Sequence, residues 1–509
     1  MKRRFLPSFI FSFTLFFSLA KLPVTAQIFV KWDATGANNG TSWADAYTDL
    51  KAALSAAAAG DEIWVAKGTY KPAAPNGNPA STFLIDKNLV LLGGFDGTEA
   101  SADQRNPQEN ETILSGDLAG DDIPDDFLTS RGDNVLNVVR IENGVTNETL
   151  FDGFTIKGGH ADGSGLNGYG GGIFCKGYPV FRHCIFEQNF ASAGGGAVRL
   201  NNTAGNIVEF EFCQFKHNKA NVGGAMDCLI STYTLMQCTF TNNSAVTGTF
   251  QANGGGLWSF KSHGTLVNCL FSGNVAASFG GGIAVYTDTG NFSGSLRLQG
   301  CTIADNKGTG SILNASTDSV FLQNTILYNP GFLEFSGNAN NFQSLGGNLV
   351  RDMSLQSFLV ASDKQDIDPL FLASGAGDYR LSDNSPCINE GISVGVTAPL
   401  DLDGKLRIAG TTVDIGAYEW GSVSSLSGRA NAVIKIFPFP NPASEYLFFQ
   451  LTEPPGSPGE VWVISASGSL MRRTSPTGQM IDIKDLSPGF YFLKMLSGKQ
   501  VFLGKFIKQ

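Results

Sequence analysis

Two short patterns alternate through the middle of the chain, and together they restrict its fold more than any other feature. The first is a glycine pair or triplet leading into an apolar run: YGGGIFC, AGGGAVRL, VGGAMDC, NGGGLWSF and FGGGIAVY. Aligning Gly172, Ala197, Ala225, Gly256 and Gly282 gives steps of 25, 28, 31 and 26 residues. The second pattern follows each first one: CIFEQN, CQFKHN, CTFTNN, CLFSGN, CTIADN and then NTILYN. These copies end at Asn189, Asn218, Asn243, Asn274, Asn306 and Asn329. Two interleaved signatures with one period of ~25–30 residues describe a solenoid, in which each repeat buries its apolar face only against its neighbours. The repeated pieces are three to five residues long, alternate in and out, and have Gly and Asn at their corners. No helical stripe interrupts them. The expectation is an all-β chain whose main body is a parallel β-helix, with coils paired at the ~4.8 Å strand spacing.

Composition excludes the competing classes. The 509 residues include 62 glycines, and only 16% are charged. Ample apolar content with little charge excludes disorder. Glycine this frequent excludes helical bundles, and the lack of a strict three-residue period excludes collagen. The net charge is −10. Residues 1–26 carry four basic and no acidic residues, and those from Val433 onward carry eight basic and five acidic ones. The stretch 27–432 therefore stands near −17. A surface this acidic repels phosphate backbones, so nucleic acid is not an expected partner.

Register suggests what the repeats do inside. Cys184, Cys213, Cys238, Cys269 and Cys301 share one position, and Asn324 takes the sixth place by pattern. Stacked residues have parallel Cα–Cβ vectors, which suits a disulfide poorly. The expectation is an interior ladder of reduced thiols. The Asn series is expected to be a hydrogen-bonded corner ladder. His160, His183, His217 and His263 converge in no register, so no histidine metal site is expected.

Two sets of candidate site residues follow. If Ile173, Val198, Met226, Leu257 and Ile283 point inward, period-two alternation sends Phe174, Arg199, Asp227 and Trp258 outward, with Phe260 and Tyr286 two residues further along. Exposed aromatics beside Arg199 and Asp227 suit the apolar faces of sugar rings. The alternative is that a loop such as 160–169 or 247–253 covers this face and makes it local core. Arg199 and Asp227 are expected to pair as a surface salt bridge. The second set is Asp117, Asp121, Asp122, Asp125 and Asp126, five acids in a ten-residue loop. They read either as a calcium site or as a solvated acidic loop. No cofactor is required by either set, and no acid recurs in one register as a catalytic carboxylate array would.

The ends of the chain carry export signals and caps. Lys2-Arg3-Arg4, the apolar run Phe5–Ala20 and the small residues Val24-Thr25-Ala26 form a signal peptide over 1–26. No later stretch is long and apolar enough to span a bilayer. Trp43–Ala59 reads as an Ala-rich capping helix with Ser42 as N-cap and Gly60 as its stop. Residues 421–432 read as a Ser-rich linker. Residues 433–509 hold about seven strand-like runs separated by Pro, Gly and Ser, which suits a small β-sandwich.

Three resemblances build on these motifs. The paired GG-[AGI] and F-x-x-N signatures over about 160–330 resemble the repeats of chlamydial polymorphic outer-membrane proteins, surface β-helices implicated in adhesion. The fifth copy has Ile303 and the sixth Ile326 in place of Phe. The opening (GTSW, GDEIWVAKGTY, GGFDGTE) and the close (DYRL, NSPCIN, VDIGAYE) resemble exported bacterial right-handed β-helix proteins over about 28–420. FPFPNPA, LSPGFY and the basic terminus KFIK resemble the type IX secretion C-terminal sorting domain of Bacteroidetes. That resemblance implies contact with the outer-membrane secretion machinery through 433–509. It also implies Sec-dependent export through the periplasm and an extracellular or outer-membrane-surface location. The expected layout is a signal peptide (1–26), a β-helix (27–420, with its cap at 27–60), a linker and a sorting domain. Two functions stand at this point. One is a surface binding protein or adhesin for polysaccharide or cell-surface glycan, and the other is a polysaccharide lyase or glycosidase acting on uronate-rich glycans.

Overall fold

The computed structural model describes residues 26–201, 205–246, 252–288, 293–396, 398–421, 433–435, 443–448, 460–465, 470–474, 480–487, 489–497 and 500–508. The signal peptide and the linker lie almost wholly outside the described residues. Each coil contributes up to four short strands. In one coil these are Ile173–Cys175, Val180–Arg182, Ile185–Glu187 and Phe190–Gly194, which lie on faces 1, 2, 3 and 4. Stacking the coils gives parallel sheets of nine, eleven, eleven and six strands on these faces among the described residues. Ile173, Val198, Met226, Leu257, Ile283 and Ile312 share one register on face 1, and all are fully buried.

Stacking at a fixed coil spacing places like side chains on like. On face 3, Phe186, Phe215, Phe240 and Phe271 stack at centroid distances of 4.7, 4.4 and 4.3 Å. The cysteines of the main ladder are buried, and all eight cysteines are free. Each ladder thiol donates to a carbonyl of the preceding coil, as Cys238 does to Phe210 O at 3.4 Å. Burial pushes the Cys269 and Cys301 thiols well above their ordinary value. The sixth place in this ladder belongs to Thr325, not Asn324, because Thr302 pairs with Ile326. Register runs unbroken from the Gln299–Gln323 pair into this strand, so the residue opposite Ile303 is Leu327, not Ile326, and the sixth copy is one residue shorter between its strand and Asn329.

The Asn corner is a continuous amide ladder. Nδ2 of Asn189 donates to Asn218 Oδ1 at 3.1 Å, and the same bond recurs at 3.0, 2.9, 2.8 and 3.1 Å down to Asn329. Each Nδ2 also reaches a backbone carbonyl, such as Phe215 O for Asn243. Buried polar groups are thereby paired along the whole corner.

The glycine signature has a steric cause that differs at each place. The first glycine of each run (Gly170, Gly195, Gly223, Gly254, Gly280) has φ between +56° and +69°, a region that costs other residues conformational strain. The second (Gly171, Gly196, Gly224, Gly255, Gly281) would place a Cβ within 2.2–2.8 Å of another strand's backbone. The third is not left-handed, and although a Cβ would lie 2.6 Å from Ala197 O at Gly172 and 2.9 Å from Gly282 O at Gly256, alanine stands there at Ala197 and Ala225.

The N-terminal helix is shorter than its Ala-rich sequence suggests. It spans Leu50–Ala56, and Asp49, not Ser42, caps it by accepting from Lys51 N. Ser42 instead bonds Asp45. Trp43 is drawn into an aromatic cluster with Phe29, Trp64 and Phe95. Tertiary packing overrides helix propensity across 43–49. Leu50, Ala53 and Leu54 join the same core as the first strands.

Beyond the solenoid, residues 443–508 contribute to a five-stranded and a two-stranded sheet, the larger including Val433–Lys435. Leu447 and Ile481 from the smaller sheet and Val461, Val463, Leu493 and Phe506 from the larger one share a single buried core.

Candidate functional site

The outward residues of face 1 divide into two halves. Register places Phe174 beside Arg199, Arg199 beside Asp227, and Asp227 beside Trp258. Phe174, Arg199 and Asp227 are buried, not exposed as alternation alone suggests. The segment that ends in the turn Gly165–Gly168 brings the Tyr169 ring to 4.4 Å from the Arg199 guanidinium, and Arg140 lies 4.7 Å from the Phe174 ring. Arg199 and Asp227 pair as a buried ion pair instead of a surface one. Burial raises the Asp227 carboxyl, with Arg199 opposing it. Arg199 Nε and Asp227 Oδ1 are buried without a hydrogen-bond partner. This half of the face is therefore local core.

The other half remains half-exposed. The Tyr286 ring lies 5.8 Å from Trp258 and 5.5 Å from Phe260, with interplanar angles of 23° and 25°. Trp258 and Phe260 sit two apart on one strand, and Tyr286 is in register with Phe260 on the next coil. Opposite Trp258 stands Ala284, whose small side chain leaves room for the indole. Lys261 Nζ lies 5.3 Å from the Phe260 ring and pairs with Asp288. Three near-parallel rings edged by an ion pair form an amphipathic patch.

The acidic loop does not act as one cluster. Only Asp117 and Asp121 of the five come together, and the third carboxylate beside them is Asp133, whose ligand atom lies within 4.8 Å of theirs. The sequence places Asp133 outside the acid run, so spacing alone does not find it. Asp122 turns inward to Arg131 at 2.8 Å and Asn134 at 3.0 Å, and burial pushes its carboxyl up to about 6. Asp125 accepts from His217 and Gln188, and Asp126 caps the turn at Leu128 and Thr129. Oxygen donors are the type calcium takes, and three carboxylates binding through one oxygen each supply at most half of the roughly six to eight oxygens it binds.

A third site is absent from the sequence-based list. The corner between faces 2 and 3 holds a column of left-handed residues: His183, Phe212, Gln237, Asn268, Gly300 and Asn324. A C-terminal strap, residues 391–420, runs back along this column. Asn324 Nδ2 donates to Ile392 O, Asn268 Nδ2 to Leu400 O, and Gln237 Nε2 to Asp401 O. The strap stops there, and His183 and Phe212 stay uncovered. Residues 102–111 form the facing wall, leaving a cleft of about 940 Å³. On its floor, Asp152 accepts from His183 Nδ1 at 2.9 Å and from Arg105 Nη2 at 2.7 Å. Burial alone would raise Asp152, but His183 and Arg105 hold it below the usual carboxylate range. His183 stacks on Phe212 at 5.3 Å. The four histidines each have a separate partner, as expected, yet one of them is the best-oriented side chain in a cleft. Its walls come from segments some 300 residues apart, which no local motif reveals.

Comparison with known proteins supports the architecture. Residues 171–349 match the family model described as "Right handed beta helix region", and residues 438–509 match "Secretion system C-terminal sorting domain". No curated protein matches. A crystal structure of pectate lyase Pel9A aligns with a TM-score of 0.45 and 15% identity, covering 78% of this chain and 96% of that one. No helix among the described residues is long and apolar enough to cross a membrane. The four-faced parallel coil and the match over 171–349 show a right-handed parallel β-helix, and residues 438–509 match a secretion-system C-terminal sorting domain, which indicates export.

Proposed function

We propose that the protein acts at the cell surface or in the extracellular space as a non-catalytic binding protein or adhesin for glycan. Its route begins with the signal peptide over 1–26 and passes through the periplasm. The observation that carries this reading is the patch of Trp258, Phe260 and Tyr286. Rings with one apolar face and polar neighbours suit the C–H faces of sugars, and contiguous exposed apolar surface marks interaction sites. The buried half of the face, with Phe174, Arg199 and Asp227, acts as its rigid support.

A polysaccharide array probed with the full-length protein tests the reading. Trp258→Ala with Phe260→Ala should weaken binding by about tenfold or more, consistent with loss of buried aromatic anchors. Undiminished binding by this double variant would sink the proposal. The same panel, run with and without calcium, decides against the lyase or glycosidase reading if no new unsaturated or reducing ends appear.

A further inference from the structure

We propose that the cleft between the strap and residues 102–111 is a second binding site, specific for a short uncharged oligosaccharide. It shares only the ligand class with the reading above and uses different residues on a different face. The cleft is formed by construction: the strap covers the corner column as far as Gln237 and leaves the two positions occupied by His183 and Phe212. Gly153, Gly300 and Asn268 hold the same left-handed conformation in this column at little cost. His183 takes φ +47° without difficulty, whereas Phe212 at φ +54° is held there against the preference of a bulky side chain.

The chemistry of the lining narrows the ligand. With Nδ1 tied to the Asp152 carboxylate, Nε2 of His183 is left to hydrogen-bond a hydroxyl, as acceptor from the neutral ring or as donor from the protonated one. Ile185 and Phe212 give an apolar floor, and Gln214 adds an exposed amide that both donates and accepts. The carboxylates of Asp103 and Glu111 on the near wall accept from hydroxyls and repel anions. The nearby cations are already engaged, Arg105 by Asp152 and both Arg380 and Lys405 by Asp403. A uronate chain would therefore meet negative charge with no free countercharge. A volume of about 940 Å³ lies near the top of the range for small-molecule clefts, ~300–1,000 Å³, which leaves room for several sugar units.

Calorimetric titration of the full-length protein with xylotetraose, cellotetraose, mannotetraose and tetragalacturonate tests this. At least one uncharged tetraose should bind, with tetragalacturonate at least about tenfold weaker because of the rim carboxylates. Phe212→Ala and Gln214→Ala should each weaken binding by about threefold to tenfold. Gln214 is exposed, so its variant reports on the site even if Phe212→Ala perturbs folding. Trp258→Ala should leave this binding unchanged. The inference is overturned if no uncharged tetraose binds, if tetragalacturonate binds equally well, or if Gln214→Ala and Phe212→Ala have no effect. Loss of all binding in Trp258→Ala alone would overturn the cleft and leave the aromatic-patch proposal standing. Loss only in the cleft variants supports the cleft and leaves the aromatic patch to its own test on the polysaccharide array.

Discussion

At the residue scale, the glycine signature makes sharp predictions. Gly255→Ala places a Cβ 2.3 Å from the Gly281 carbonyl oxygen. Backbone cannot yield as a side-chain tip can, so the variant should lose about 2 kcal/mol or more of stability. Gly132→Ala has nothing within 4 Å and should be close to neutral. Thermal unfolding of the two side by side checks this. Asn243→Ala removes one rung of the amide ladder. It strands Phe215 O and the Asn218 backbone N–H, and should cost about 2–6 kcal/mol at roughly 1–3 kcal/mol per unsatisfied buried group. Much at this scale was legible from sequence, because inward positions follow alternation. The Asn324/Thr325 slip was not, since the sixth copy is one residue shorter between its strand and its closing Asn. The burial of Phe174 and Arg199 was legible only as the alternative in which a loop such as 160–169 covers the face, because alternation says which side a residue leaves the strand and not what lies above it.

At the element scale, the strap shows how a segment without regular strands can be fixed. Arg407 is almost fully buried and donates to Glu419 at 3.1 Å and to the carbonyls of Asp414 and Gly416. Burial pushes the Glu419 carboxyl up to about 7, against the Arg407 charge beside it. In the unfolded chain its value is about 4.3. The folded strap therefore holds a proton that the unfolded chain releases between these values. Its stability is greatest below about pH 4.3 and declines as pH rises toward 7. Hydrogen exchange over 400–420 should show faster opening at pH 7.5 than at pH 5, and Glu419→Gln should flatten that dependence. Sequence gave no hint of the strap's path, because its contacts are side chain to carbonyl and span up to 164 residues. The helix was read too long for a related reason: Trp43 has better partners in the aromatic cluster than in a helical turn.

At the scale of the whole molecule, the acidic solenoid and the slightly basic tail do separate jobs. The tail marks the chain for export, and a chain ending at residue 432 should accumulate in the periplasm instead of reaching the surface. Fractionation with detection of the solenoid checks this; surface display of the truncated chain would remove the tail's assigned role. The C-terminal sorting domain was readable in sequence because its motifs are local. The cleft was not, because it exists only once coils are stacked and the strap has folded back.

The amide ladder gives the solenoid an electrical polarity. Every Asn-to-Asn bond in it runs toward the C-terminal end, so five head-to-tail amide bonds share one direction as peptide groups do in a helix, while each Nδ2 also donates back to a carbonyl of the preceding coil. The positive pole emerges at Asn329, where Glu334 takes both Asn329 N at 2.7 Å and Nδ2 at 2.6 Å and is itself held by Arg351. A buried carboxylate thus terminates the column as an anion terminates a helix N-terminus. The stack has one end that can be extended and one that is sealed: extra coils spliced in ahead of Asn329 keep the current of dipoles continuous, whereas coils added beyond Glu334 have no amide to join.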